Sequence, residues 1–236
     1  MGNPFFKFKR FTINQDRCAM KVSTDSALLG AWCHFPKTGE ILDIGCGCGI
    51  LSLMAAQRSE ACITGIEIDR EAALQAAENV YMSEWKERIK IICEDFCVFT
   101  SYTESKYDCV ISNPPYFVNS LLPPTLARKY ARHTTTLNYY SLFKGISAIL
   151  HENGSIFLIF PADILEHVTE IAAGFDYFPL KITSVRGRSD LPVKRMLTEW
   201  KRGIGVCHYD EIIIESDPGI YTSEFITLLR DFYLKF

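Results

Sequence analysis

An α/β fold whose sheet is parallel at its centre is what this sequence predicts, and three observations predict it. Short apolar runs with strand character alternate with segments of helical spacing, one of those runs passes directly into a glycine loop near residue 45, and no repeat or low-complexity tract interrupts the alternation. At 236 residues with 48% hydrophobic content, the chain is well inside the range of one α/β unit with ample material for a core, so no second domain is required. Open sheets of this kind bind ligands at the carboxyl ends of their central strands. Function is therefore sought at strand ends.

The elements follow in chain order. Glu40-Ile-Leu-Asp-Ile44 reads as the first strand, and 50–58 as the helix that leaves the glycine loop. Ile63-Thr-Gly-Ile-Glu-Ile68 reads as the second strand and 70–82 as the next helix. Ile89-Lys-Ile-Ile-Cys-Glu94 reads as the third strand, and Tyr107-Asp-Cys-Val-Ile-Ser112 as the fourth. Helical spacing over 138–150, a turn at His151-Glu-Asn-Gly154, a fifth strand at 155–160 and a helix over 162–173 stopped at Gly174 continue the alternation. Segments 180–185 and 196–201 suit an antiparallel edge, and 221–236 reads as a closing amphipathic helix with core aromatics.

The loop Gly45-Cys-Gly-Cys-Gly49 differs from the dinucleotide fingerprint, because its glycines alternate and Ile50 stands where that fingerprint has its third glycine. Alternating glycines let a backbone pass close beneath a ligand, and Asp43 at the strand end can brace the loop or an ammonium group. The pattern resembles motif I of S-adenosylmethionine-dependent methyltransferases. Three carboxylates are spaced to serve such a ligand. Glu67 at the tip of the second strand can accept both ribose hydroxyls, with Asp69 as its substitute. Asp95 can accept from an adenine exocyclic amine while Phe96 covers the ring. A solvated strand end or a helix N-cap is the plain alternative for any one of them.

The fourth strand is followed by Asn113-Pro-Pro-Tyr116. Two prolines fix two φ angles and remove two backbone donors, so the turn is stiff and its carbonyls stay available as acceptors. The expectation is that the Asn113 side-chain oxygen and the Pro114 carbonyl accept from a substrate NH2 and aim its nitrogen at a methyl donor, while Tyr116 stacks on a flat base. An Asn-Pro turn capped by a packing tyrosine is the bland alternative.

The net charge of -3 is unevenly distributed. Residues 1–22 hold five basic side chains against Asp16, and 181–202 hold seven, Arg195 among them, against Asp190 and Glu199. Residues 60–108 carry eleven acidic against five basic. Arg128-Lys129 and Arg132-His133 follow the Asn-Pro-Pro-Tyr turn. Basic clusters flanking one site are the footprint expected of phosphate binding. Nine cysteines without a C-x-x-C pair point to reduced thiols rather than disulfides or zinc, and the small side chains of Cys46 and Cys48 suit a glycine loop better than a metal. With no apolar stretch long enough for a membrane span and no h-region after the N-terminal Lys7, Lys9 and Arg10, the protein is expected in the cytoplasm.

Five segments together resemble the bacterial family that methylates N6 of an adenosine in valine tRNA. They are Phe5-Phe-Lys-Phe-Lys-Arg-Phe-Thr-Ile-Asn-Gln-Asp16, Met20-Lys-Val-Ser-Thr-Asp-Ser-Ala-Leu-Leu-Gly-Ala-Trp32, Asn113-Pro-Pro-Tyr-Phe117, Ala131-Arg-His133 and Asp231-Phe-Tyr-Leu-Lys-Phe236. The likeness covers nearly the whole chain. It implies a Rossmann-like class I methyltransferase fold, with a mostly parallel seven-stranded sheet, one antiparallel edge strand and helices on both faces. It also implies S-adenosyl-L-methionine as donor, and as target the adenosine just 3′ of the anticodon. Residues 1–38 become a segment over the cofactor and substrate site, with Thr24 and Asp25 on the cofactor. Residues 39–236 become the core. Pro115, Phe117, Arg128, Arg132, His133 and Arg195 become tRNA-facing.

Three rivals differ in class. Protein-glutamine methyltransferases use the same turn but carry a helical N-terminal domain, and only about 40 residues precede the glycine loop here. DNA-adenine methyltransferases share the chemistry but need a recognition domain that the stretch after Tyr116 can hardly house. A silent RNA- or nucleotide-binding module would not require an intact Asn-Pro-Pro-Tyr turn.

Overall fold

The computed structural model describes residues 3–114 and 137–236. From the N-terminus come strands β1 (Phe5–Lys7) and β2 (Thr12–Asn14), helix α1 (Thr24–Trp32), β3 (Glu40–Ile44), α2 (Ile50–Arg58), β4 (Cys62–Glu67) and α3 (Arg70–Tyr81). Then follow β5 (Ile89–Cys93), α4 (Phe96–Tyr102), β6 (Tyr107–Ser112), α5 (Tyr139–Ile149), β7 (Leu150–Pro161), a 3-10 turn (Ala162–Ile164) and α6 (Leu165–Ala173). The C-terminal part holds β8 (Tyr177–Arg186), β9 (Val193–Arg202), β10 (His208–Ile213), β11 (Glu215–Asp217), β12 (Ile220–Tyr221) and α7 (Ser223–Leu229).

The helices begin where short polar side chains can satisfy their first amides. Asp69 accepts from Ala72 N at 2.8 Å, Asp95 from Val98 N at 3.0 Å and Asn138 from Ser141 N at 2.8 Å. The C-terminal carbonyls of α1 are capped from outside, by Arg58 Nη1 donating to Gly30, Ala31 and Cys33 at 3.1, 2.5 and 2.8 Å. Along each central strand, alternate residues pack on opposite faces. Ile41, Ile63, Ile111, Phe157 and Ile159 join the core under α1, α2, α3 and α7. Leu42, Ile66, Val110, Leu158 and Phe160 join the core under α4, α5 and α6. Helices therefore cover both faces, as expected.

Among the described residues the main sheet has eight strands, in the order β10-β8-β9-β7-β6-β3-β4-β5. Two details correct the expectation of seven strands with an antiparallel edge. β9 is the antiparallel strand, but it is interior, paired with β7 on one side and β8 on the other. The edge is formed by β10, which runs parallel to β8 from His208↔Lys181 to Ile213↔Arg186. β10 carries one buried residue, Ile212, in a run of exposed polar positions. That is why its burial pattern gave no strand signal. Residues 151–154, expected as a turn, lie inside β7.

The two ends of the chain meet. β1 and β2 form a hairpin, Phe8 bridges Tyr233, and Lys9 Nζ donates to the carbonyls of Arg230 and Phe236 at 2.5 and 2.6 Å. This capture ends the C-terminal helix at Leu229, well short of the 221–236 helix expected, while Phe225 and Phe232 stay buried in the core.

Candidate active site

The chain runs outward from β3 through β4 to β5, then returns to lay β6 on the other side of β3. That reversal is the switch point where an open α/β sheet leaves a crevice. Two loops leave the adjacent strand ends there. Ile41↔Cys109 and Asp43↔Ile111 set β3 and β6 in register, and Ser112 Oγ donates to Ile44 O at 2.7 Å, locking the two ends side by side. The glycine loop is in turn tied to β4, since the amides of Gly45 and Cys46 both donate to Ile66 O at 2.8 and 3.0 Å.

The glycines serve different needs. Gly45 and Gly47 have φ of +69° and +54°, and a Cβ on either would project into open space within the cavity they line. Gly49, at φ +84°, instead turns the chain into the start of α2 through the left-handed region, where a side chain would be strained. A cavity of about 300 Å³ opens above this loop. Gly45, Gly47, Glu67, Asp95, Phe96, Asn113 and Pro114 all line it.

Glu67 is held at the tip of β4 by two backbone donors, Gly47 N to Oε2 and Asp69 N to Oε1, both at 2.9 Å. It braces the glycine loop as well as facing the cavity. Asp95 uses Oδ1 to cap α4, and Phe96, only 5% exposed, fits against α5 because Gly145 leaves room, where a Cβ would meet the ring at 2.5 Å. Asn113 Nδ2 donates to Ser26 Oγ at 2.9 Å, and Ser26 N donates to Ser23 Oγ at 3.2 Å, so the N-cap of α1 is linked to the turn after β6. With the amide nitrogen committed to Ser26, the oxygen is the end turned the other way. Pro115, Tyr116, Phe117, Arg128, Arg132 and His133 lie outside the described residues.

Three residues expected on the cofactor, Asp43, Thr24 and Asp25, stand elsewhere. Asp43 does not line the cavity. It is fully buried beneath the loop, its Oδ2 accepts from Ser52 Oγ at 2.7 Å, and its Oδ1 has no partner among the described residues. Burial pushes its carboxyl up to about 7, against the lowering effect of the Ser52 hydrogen bonds. Thr24 and Asp25 line a second cavity, with Arg195, whose Nε donates to Asp25 Oδ2 at 2.7 Å. Ser23 and Ser26 take their place at the first cavity, because helical pitch turns α1's neighbouring positions to opposite sides.

Gln75 and Asn79 of α3, both 1% exposed, escaped the sequence reading. Gln75 Oε1 accepts from Arg17 N at 3.1 Å and Cys18 Sγ at 3.2 Å, and Gln75 Nε2 donates to Asp16 at 2.5 Å. Asn79 Nδ2 donates to the carbonyls of Asn14 and Cys48, both at 2.9 Å, and its Oδ1 accepts from Asn14 N. The pair straps residues 14–18 over the cavity, which Cys18 and Met20 also line. Polar residues at i and i+4 on an alanine-rich helix face were the available signal.

The methyltransferase small domain family model matches residues 18–167. A tRNA1(Val) (adenine(37)-N6)-methyltransferase of Bacteroides fragilis is 42% identical over 236 residues, all of both chains. One from Trichodesmium erythraeum is 39% identical over 239 aligned positions, again across all of both chains. Among solved structures, a predicted O-methyltransferase from Agrobacterium tumefaciens superposes with a TM-score of 0.70 at 21% identity, over 88% of this chain and 96% of that one. A putative RNA methyltransferase from Pyrococcus horikoshii gives 0.55 at 18%, over 76% and 82%. The fold with its glycine loop at the switch point defines a class I, S-adenosyl-L-methionine-dependent methyltransferase. Within that class the chain belongs to the family of the tRNA1(Val) (adenine(37)-N6)-methyltransferases.

The cavity suits that donor on its own geometry. The loop leaves open the space that two Cβ atoms would fill, a carboxylate stands at the tip of the second central strand, and a buried ring faces the same space.

Proposed function

We infer that this protein methylates the N6 amine of adenosine 37, beside the anticodon of a valine tRNA, with S-adenosyl-L-methionine as donor. The observation that carries the reading is that Asn113 and Pro114 line the same cavity as Gly45, Gly47 and Glu67. The 37–42% identity to tRNA1(Val) (adenine(37)-N6)-methyltransferases over nearly full length supports the choice of substrate. No helix among the described residues is long and apolar enough to cross a membrane, which is compatible with work on tRNA in the cytoplasm.

S-adenosyl-L-methionine supplies an electrophilic methyl group when bound. Glu67, pinned by two amides, presents its remaining lone pairs to ribose hydroxyls, and Asp95 and Phe96 take the adenine. The amine of the target adenine is a weak nucleophile because its lone pair is delocalised into the ring. Asn113 Oδ1 and the Pro114 carbonyl accept from that amine, favouring the rehybridised nitrogen of the transition state over the flat ground state. Ser26 holds the amide of Asn113 with its oxygen toward the substrate. Displacing the base from its stack costs a few kcal/mol in a duplex and less in an anticodon loop. Aromatic stacking, assigned to Tyr116, returns about 1–3 kcal/mol. The chain works as one domain, in which residues 1–38 close over the cavity while Arg128, Arg132 and His133 face the tRNA.

Incubation with labelled donor and total tRNA from a strain lacking the gene, followed by nucleoside mass spectrometry, tests the reading. N6-methyladenosine is expected in one tRNA species. Label in protein would move the assignment to glutamine methylation, and label in no macromolecule would leave a binding module.

A further inference from the structure

Beside the first turn of α1 lies a second cavity of about 640 Å³, roughly twice the donor cavity. Its walls come from parts of the chain that are remote in sequence. Phe6 and Lys7 belong to β1, Lys194 and Arg195 to β9, and Tyr221 and Lys235 to the C-terminal region. Four cations and two carboxylates, Asp25 and Glu215, face it, giving a net positive lining. Asp25 is paired with Arg195, whereas Lys7, Lys194 and Lys235 have no ion-pair partner among the described residues. Aromatic surface accompanies the charge. Tyr221 stacks on Phe225 with ring centroids 5.1 Å apart, and Lys235 Nζ stands 4.8 Å from the Tyr221 ring.

The position of this cavity limits what it can hold. Thr24 and Asp25 line it while Ser23 and Ser26 line the donor cavity, so one helical turn separates the two spaces. Ser26 touches Asn113 directly. The second cavity therefore adjoins the Asn113 cavity across one turn of α1, the placement that a flanking unit of a chain substrate requires. Unpaired lysines suit phosphate, ring faces suit bases, and the two carboxylates suit sugar hydroxyls or base NH groups. The volume falls in the range of small-ligand sites, about 300–1,000 Å³.

We propose that this second cavity binds a nucleotide of the RNA substrate flanking the one delivered to Asn113, holding its phosphate with Lys194 and Lys235 and its base on the aromatic floor. The proposal rests on the RNA-methylating assignment above, and binding is read separately from catalysis so that the two can fail separately.

The test uses the full chain, with Lys194→Glu/Lys235→Glu and the milder Lys194→Gln/Lys235→Gln as variants. Fluorescence anisotropy measures binding of a labelled valine-tRNA anticodon stem–loop across a salt series, and calorimetry measures donor binding. The Glu pair is expected to weaken RNA binding at least about tenfold and the Gln pair less. The slope of log affinity against log salt should shrink by about one to two, and donor affinity should hold. Adenosine 5′-monophosphate, titrated against both forms, separates a nucleotide in a chain from a free one. RNA binding unchanged in the Gln pair, or AMP binding lost while RNA binding persists, would overturn the proposal. If wild-type protein binds the stem–loop through this cavity yet methylates no RNA, the catalytic assignment falls and the cavity assignment stands.

Discussion

The two cavities on either side of the first turn of α1 are built on opposite plans. In the donor cavity nearly every polar wall group is already tied to the protein: Glu67 by two amides, Asp95 by the start of α4, Asn113 by Ser26. In the second cavity three lysines stand at the ends of flexible stems with no ion pair among the described residues. Fixed dipoles act most strongly where charge develops during a reaction, because they need no reorganisation at that moment. Loosely held cations suit a polyanion whose backbone must be caught in many encounters, and their contribution fades with salt. On the proposed assignments one cavity serves chemistry and the other capture, and each plan predicts a different signature on mutation.

The largest effect falls on the fixed side. Asn113→Ala removes the acceptor proposed to act chiefly in the transition state, so kcat is expected to fall at least about 10²–10³-fold. Donor affinity should stay within a factor of a few, by calorimetry with the unreactive product S-adenosylhomocysteine. Equal loss of donor binding would join the two roles proposed for Asn113 and Glu67.

Next comes pH. Asp43 lies fully buried under the glycine loop, with its carboxyl raised from an ordinary value of 3.8 to about 7. For an acid whose folded value is raised, the stabilising contribution is present below about pH 4 and disappears as pH climbs through 7. Between those values the native state holds a proton that the unfolded chain has released. Asp43→Asn keeps a neutral acceptor for Ser52 and removes this loss. From pH 5 to pH 7, wild type should lose about 2 kcal/mol more stability than the variant in urea unfolding. Parallel curves would show that Asp43 is ionised throughout.

Glu67→Ala follows. It strips the brace from Gly47 N and Asp69 N as well as the proposed ribose acceptor, so donor binding should weaken about tenfold or more, close to 1.4 kcal/mol. The second cavity should not notice, and stem–loop affinity should hold. A variant that lost RNA affinity and kept donor affinity would invert the comparison.

How much of this was legible in the sequence divides along the same line. The strands 107–112 and the helix 50–58 coincide with β6 and α2, because β-branched runs and helical spacing each carry a local signal. The glycine loop and the turn at Asn113 could be placed at neighbouring strand ends for the same reason. The interior position of β9, the polar edge strand β10 and the meeting of hairpin and tail are set by long-range pairing, which leaves no local period to read. The second cavity was hidden for that reason, since Lys7, Lys194 and Lys235 come together only through the fold. Asp43 was read two ways, as a brace for the loop or as a contact for an ammonium group. The alternation of β3 together with its depth turns it toward Ser52 at the start of α2, the bracing side, rather than toward the cavity. Thr24 and Asp25 were expected on the cofactor through the resemblance alone; they start α1, a helix that was not read from the sequence, and its pitch turns Ser23 and Ser26 rather than them toward the donor cavity.

The smallest effect sits on the partition itself. Ser26, 9% exposed, accepts one hydrogen bond from Asn113 Nδ2 and lines the donor cavity rather than the second one. A hydrogen bond of this kind is worth about 1 kcal/mol net, so Ser26→Ala should lower kcat about fivefold and leave KM for RNA nearly unchanged. Ser26→Thr, which keeps the hydroxyl, should recover most of the loss. The informative measurement is the double variant. If Ser26 acts by orienting the Asn113 amide, then adding Ser26→Ala to Asn113→Ala should cost nothing further in kcat, because the group being oriented is already gone. Additive losses would mean that Ser26 supports the start of α1, and an effect confined to KM would assign it to the RNA side of the wall.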